Sequence, residues 1–110
     1  MSQVPNMRPI VQKTPYVRSK AAMVVARDMP CGNCGAQDGT VCGAHPNWSW
    51  AGKGKSIKAN DVVASLCAVC HRELDQGSKL SRAEREEMWL RAFYQTMLHG
   101  FSSGKFTVVV

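Results

Sequence analysis

The sequence predicts an α+β fold in a single small domain. Three observations predict it. Two C-x-x-C pairs, Cys31/Cys34 and Cys67/Cys70, frame the middle of the chain. Short β-prone stretches lie between them, and one strongly patterned helix follows them. At 110 residues the chain has the size of one domain and buries only about two-thirds of its unfolded surface. Apolar residues make up 45% and charged residues 20%, a globular composition.

The elements follow in order. Residues 1–16 carry Pro5, Pro9 and Pro15 without an apolar period and read as a basic, flexible arm. Residues 17–110 form the domain. Residues 17–28 read as a short helix with Ser19 as N-cap and with Val17, Ala21, Val24 and Val25 on one face; Pro30 stops it. Residues 40–45 and 61–66 read as strands. Between them, residues 46–60 form a long loop with Trp48, Trp50, Gly52, Gly54 and three lysines. Long loops in compact domains are usually functional. Residues 68–76 read as a helix ended by Gly77. Ser81 to His99 reads as the longest helix. Ser81 and Glu84 make a capping box, Trp89, Phe93 and Met97 recur every fourth residue as a core stripe, and Gly100 is placed as the C-cap. Residues 106–110 (FTVVV) read as a terminal strand, which could pair across a two-fold axis in a homodimer or cover its own sheet edge.

Four of the five cysteines belong to the C-x-x-C pairs. Two such knuckles supply the four thiolates that tetrahedral zinc prefers, in a closed site with a structural role. Gly32 and Gly35 suit the first turn, because glycine tolerates positive φ. Cys42 is left over as a buried thiol. An odd cysteine count, with no apolar segment at the N-terminus, argues against a disulfide framework and points to the cytoplasm. The longest apolar run, Ala21 to Ala26, is far below the roughly 20 residues of a membrane span.

The formal net charge is +6. The excess lies in residues 1–60, which hold eight bases and two acids, whereas residues 61–110 hold six of each. A basic half suggests a polyanionic partner, usually nucleic acid.

The order of knuckle, strand ending in His45, basic loop, strand, knuckle, His71 and helix resembles the ββα-metal or HNH nuclease motif in its zinc-containing form. The phrases AHPN (44–47), GKGKSIKAND (52–61) and LCAVCHRELD (66–75) resemble, more narrowly, the YbcO-type nucleases of lambda-like phages and prophages. RSK (18–20) and the SRAEREEMW helix also fit, so the resemblance spans roughly residues 17–103. It implies an HNH-like ββα core and a metal-dependent DNA endonuclease, in recombination or DNA processing, that leaves a 5′ phosphate and a 3′ hydroxyl. The alternative is a non-catalytic zinc module that binds DNA or a protein.

Phosphodiester hydrolysis needs a base, a cation at the phosphate and positive charge along the strand. His45 is the candidate base, because a neutral imidazole suits proton abstraction near pH 7. His71 and Asp75, at i and i+4, share a helix face and are the candidate ligands of a catalytic Mg²⁺ or similar cation. Lys53, Lys55, Lys58 and Arg72 are the candidate phosphate contacts. Many HNH nucleases carry an acid or a second histidine before the base and an asparagine nine residues before the final histidine. Here these positions are Ala44 and Val62. The resemblance to the YbcO-type nucleases, which carry an aspartate there, implies Asp61, beside Val62, as the residue that orients His45 or binds metal, with Asn47 as an outside candidate. Duller roles exist for each: His45 as a hydrogen-bonded neighbour of the knuckle, His71 as a packing or zinc residue, Asp75 paired with Arg72 or Lys79, the lysines as a solvated loop. Trp48 and Trp50 are read as packing on the core in preference to stacking on bases.

Overall fold

The computed structural model describes residues 16–54 and 58–110. Residues 1–15 of the arm and Lys55 of the loop lie outside the described residues. Among those described, three α-helices surround a two-stranded antiparallel sheet. The helices are α1 (Lys20–Arg27), α2 (Ala68–Gln76) and α3 (Arg82–Ser103); the strands are β1 (Cys42–Ala44) and β2 (Ala64–Leu66). No helix among them is long and apolar enough to cross a membrane.

The strands pair in the register Cys42 with Leu66, Gly43 with Ser65 and Ala44 with Ala64. Three residues per strand cannot stand alone in water, and the helices complete the sheet. α1 lies against β1, where Gly43 leaves the room that Met23 and Val63 fill; a Cβ there would lie 2.8 Å from Val63 Cγ2 and 3.2 Å from Met23 Cε. α3 lies against β2. Ser65, fully buried, donates its N–H to Thr96 Oγ1 at 2.9 Å and its hydroxyl to the Ala26 carbonyl at 2.8 Å. The Ser65 carbonyl accepts the Gly32 N–H at 2.7 Å. The Trp89 indole N–H reaches the Ala44 carbonyl at 2.9 Å. One side chain or knuckle therefore satisfies each of these sheet groups, as burial requires.

The core gathers Cys31, Val41, Ala44, Ala64, Leu66, Cys67, Cys70, Leu74, Trp89 and Ala92. The α3 stripe is partly as the spacing predicts: Trp89, Ala92 and Thr96 are buried, and Phe93 and Met97 half-buried. Trp89 stacks on Phe93 with ring centroids 5.0 Å apart. The capping box is present: Ser81 Oγ accepts from Glu84 N at 3.1 Å, and Glu84 Oε1 accepts from Ser81 N at 2.7 Å.

Several elements differ from expectation. The terminal strand is absent: residues 106–110 form no ladder, and Val109 is 93% exposed. The outer edge of β2 is already used by Gly32 and Thr96, so no edge is left there for FTVVV. α3 continues past Gly100 to Ser103 and is capped by Gly104, at φ +82°. Gly100 is instead buried under the Phe106 ring, which occupies the space a Cβ would need. Gly32 has no positive φ, unlike Gly35 at φ +81°. It is small because the knuckle passes directly over the Ala92 carbonyl of α3. Residues 17–19 are extended, and α1 turns Ala26 inward while Val17 and Val24 stay exposed. Small side chains let α1 approach the sheet closely. Cys42 is half-buried, not buried.

Trp89 joins α3, β1 and the loop tryptophans, so Trp89→Ala is expected to cost about 3–5 kcal/mol of stability, read as a lowered denaturant midpoint.

Candidate functional site

The first knuckle forms where the Cys31 carbonyl accepts the Gly35 N–H at 2.9 Å and the Cys31 sulfur accepts the Cys34 N–H at 3.4 Å. The second straddles the start of α2: Cys67 is its N-cap and Cys70 lies in its first turn. The sulfur atoms of Cys31, Cys34, Cys67 and Cys70 all lie within 4.8 Å of one another. Cys34 and Cys67 are 3.7 Å apart, sulfur to sulfur. A tetrahedral zinc with Zn–S bonds of about 2.3 Å requires sulfur separations of about 3.8 Å. The four cysteines could thus hold a structural metal ion such as zinc.

The four sulfurs perturb one another's titration in both directions. Burial pushes the Cys70 thiol up to about 12, opposed by the Asn33 amide at 3.3 Å and reinforced by the neighbouring cysteine side chains. Burial likewise pushes Cys31 up, but the backbone groups of Cys34, Cys67 and Asn33 outweigh it and bring it down to about 7. The backbone at Ala36 lowers Cys34, and the side chains of Cys31 and Cys67 outweigh that and raise it. Clustered thiolates repel one another until a metal neutralises them.

His45 follows β1 and faces Asp61 at the far end of the loop, with Nε2 2.8 Å from Asp61 Oδ1. Asp61 also accepts the Ser19 N–H at 2.9 Å, and Arg18 lies 3.6 Å away. The hydrogen bond with His45, then the Ser19 N–H, hold the Asp61 carboxyl below its ordinary value of 3.8; partial desolvation opposes this, and the charges of His45 and Arg18 assist. The fold also brings together His71 and Asp75, with Nε2 3.2 Å from Oδ2, while His71 Nδ1 lies 3.4 Å from the Cys42 sulfur. A cavity of about 670 Å³ is lined by His45, Asn47, Trp48, Leu74, Asp75, Leu80, Arg82 and Arg85. His45 and Asp75 therefore share one cleft. Among the described residues, only the four cysteines gather three or more metal-ligating side chains.

Lys53, Lys58 and Arg72 are exposed. Trp48 stacks on Trp50 at 6.0 Å, and both meet the Trp89 ring edge-on at 6.3 Å. Trp48 thus packs on the core, whereas Trp50 is 53% exposed, lies over Trp48 and donates Nε1 to Glu86 at 2.8 Å.

Sequence reasoning missed the clamp that sets the base of the loop. The Asn60 side chain accepts the Val17 N–H at 2.6 Å and donates to the Ala51 carbonyl at 3.2 Å. Arg18 donates to the Lys58 and Ala59 carbonyls at 2.8 and 2.6 Å. No local pattern marks contacts that span about forty residues. Arg82 and Arg85 left one signal, cations in the first turn of a helix, where the dipole disfavours them. Comparison with protein-family models, curated proteins and solved structures finds no match.

Three outcomes follow. The purified chain is expected to carry one zinc per molecule by elemental analysis. Because zinc affinity of this kind amounts to about 10–16 kcal/mol of apparent folding free energy, a strong chelator or Cys67→Ser is expected to abolish cooperative unfolding. For Asp61, folding lowers the pKa, so its contribution is present above 3.8 and lost as pH falls through the lower folded value. Asp61→Asn is expected to lower Tm at neutral pH and to shrink the loss of stability on acidification, as measured by melting across a pH series.

Proposed function

We propose that the chain is a metal-dependent DNA endonuclease with an HNH-like core, of phage or prophage origin, with His45 as general base. One contact carries this reading: the His45–Asp61 hydrogen bond of 2.8 Å at the edge of a cleft that Asp75 also lines. The order β1, loop, β2, α2, with His45 leaving the first strand and His71 entering the helix after the second knuckle, supports it.

An ionised carboxylate only accepts hydrogen bonds. Asp61 therefore selects the tautomer with the proton on His45 Nε2, which leaves the Nδ1 lone pair to take a proton from water. Arg18 and the Ser19 N–H keep Asp61 ionised and in place. His71 and Asp75 would hold a divalent cation. One carboxylate and one imidazole leave most positions to water and substrate phosphate, an arrangement that Mg²⁺ and Mn²⁺ accept. When bound, the ion supplies positive charge to the scissile phosphate and the leaving 3′ oxygen. Lys53, Lys58 and Arg72 are exposed and suited to backbone phosphates, and Lys55 belongs to the same loop. Recombination or DNA processing in the host cytoplasm is the setting this activity suits.

A second reading, a non-catalytic zinc module that binds DNA, draws on a different observation. His71 and Asp75 bond to each other at 3.2 Å, and no third donor joins them among the described residues.

Nicking of supercoiled plasmid by the zinc-loaded protein separates the two. With Mg²⁺ or Mn²⁺ the wild type is expected to nick, and His45→Ala to lose about a hundredfold or more. Equal nicking by both proteins removes His45 from its role. No nicking by either, with both folded, favours the binding module.

A further inference from the structure

The cleft beside His45 has cationic walls that neither the motif nor the lysine loop supplies. Arg82 and Arg85 stand three residues apart on α3 and so share a face. Both line the cleft, opposite Asp75 on α2. Among the described residues Lys53 and Lys58 are not part of its walls.

The acids near these arginines are engaged elsewhere. Glu84 turns back to the Ser81 N–H at 2.7 Å, Glu86 takes the Trp50 indole N–H at 2.8 Å, and Asp75 faces His71 at 3.2 Å. Arg85 spends one terminal nitrogen on the Gly77 carbonyl, and its Nε is buried with no hydrogen-bond partner among the described residues. A buried donor left unpaired is costly. Two guanidiniums in the first turn of α3 also oppose the helix dipole. An anion in the cleft accepts from the outer guanidinium nitrogens and offsets their charge at the positive end of α3. Phosphate oxygens match that fork geometry. The helix end itself is not the donor, since Ser81 already caps Glu84 N.

We propose that Arg82 and Arg85 form a phosphate seat in this cleft, and that a nucleic-acid strand crosses the groove between α2 and α3 with one phosphodiester held there, facing His45. The identity of the strand as nucleic acid rests on the function proposed above; the seat itself rests on the cleft. The strand is then gripped from α3, with the lysine loop as a second contact.

The test uses the full zinc-loaded chain and a short fluorescein-labelled DNA duplex, with no catalytic metal added. Binding is followed by anisotropy over a salt series. Arg82→Gln is expected to weaken binding about tenfold, as loss of a charge-assisted hydrogen bond would, and to reduce the salt slope by about one. Arg82→Lys is expected to recover the slope but not all of the affinity, since it keeps the charge without the fork. In the wild type, the duplex is expected to shift the Arg85 Nε–H resonance. Zinc content and circular dichroism confirm that each variant is folded.

Unchanged affinity and slope in Arg82→Gln, together with an unmoved Arg85 resonance, overturn the seat, whether or not the plasmid is nicked. Inorganic phosphate that moves the resonance while the duplex does not overturns the nucleic-acid strand as occupant. Weakened binding by Arg82→Gln with no nicking by any protein supports the seat and overturns the nuclease.

Discussion

The rest of the molecule depends on the meeting of two cysteine knuckles. Each strand of the sheet has only three residues, and the core holds few large side chains. The knuckles join the segment before β1 to the start of α2 and so close the β1–β2–α2 unit at its base. A metal ion held there would supply folding free energy that a core of this size lacks. The same junction positions the two side chains that follow it. Cys67 caps α2 and Cys70 lies inside it, so His71 and Asp75 inherit their positions from the clamp.

A second constraint is close approach. Gly32 passes over the backbone of α3, Gly43 admits Met23 of α1, and Gly100 lies beneath Phe106. The first two bring helices onto a sheet too short to offer a wide apolar face, and the third folds the C-terminal segment back onto α3. Polar groups are then satisfied across elements: Thr96 and Ala26 take Ser65, and the Ala44 carbonyl takes Trp89. The loop between the strands is anchored in the same manner. Asn60 and Arg18 bind it to the segment before α1, which holds Asp61 beside His45. The candidate base is thus oriented by a contact between loop ends that the N-terminal segment stabilises.

Much of this was legible in the sequence because it is local. C-x-x-C spacing brings sulfurs together within one turn, the capping box of α3 lies within four residues, and the i, i+4 relation of His71 and Asp75 follows from helix geometry. The proximity of His45 and Asp61 was reached through resemblance, not through spacing. What escaped is non-local. FTVVV has strand composition, but strand formation depends on a vacant edge, and β2 has given its edge to Gly32 and Thr96. Gly100 fits the C-cap pattern, yet Phe106 folding back is what requires a glycine there. Val17 looks like a helical apolar residue, but its N–H bonds to Asn60 across the chain. Arg82 and Arg85 look like surface charge until the cleft beside His45 is seen.

Four thiolates, and no histidine, are the proposed ligands of a metal at this junction. X-ray absorption at the zinc edge tests it most directly. Four sulfur neighbours at about 2.3 Å, with no imidazole scattering, are predicted. A shell of three sulfurs and one imidazole nitrogen would overturn this, for His71 would then belong to the clamp and not pair with Asp75.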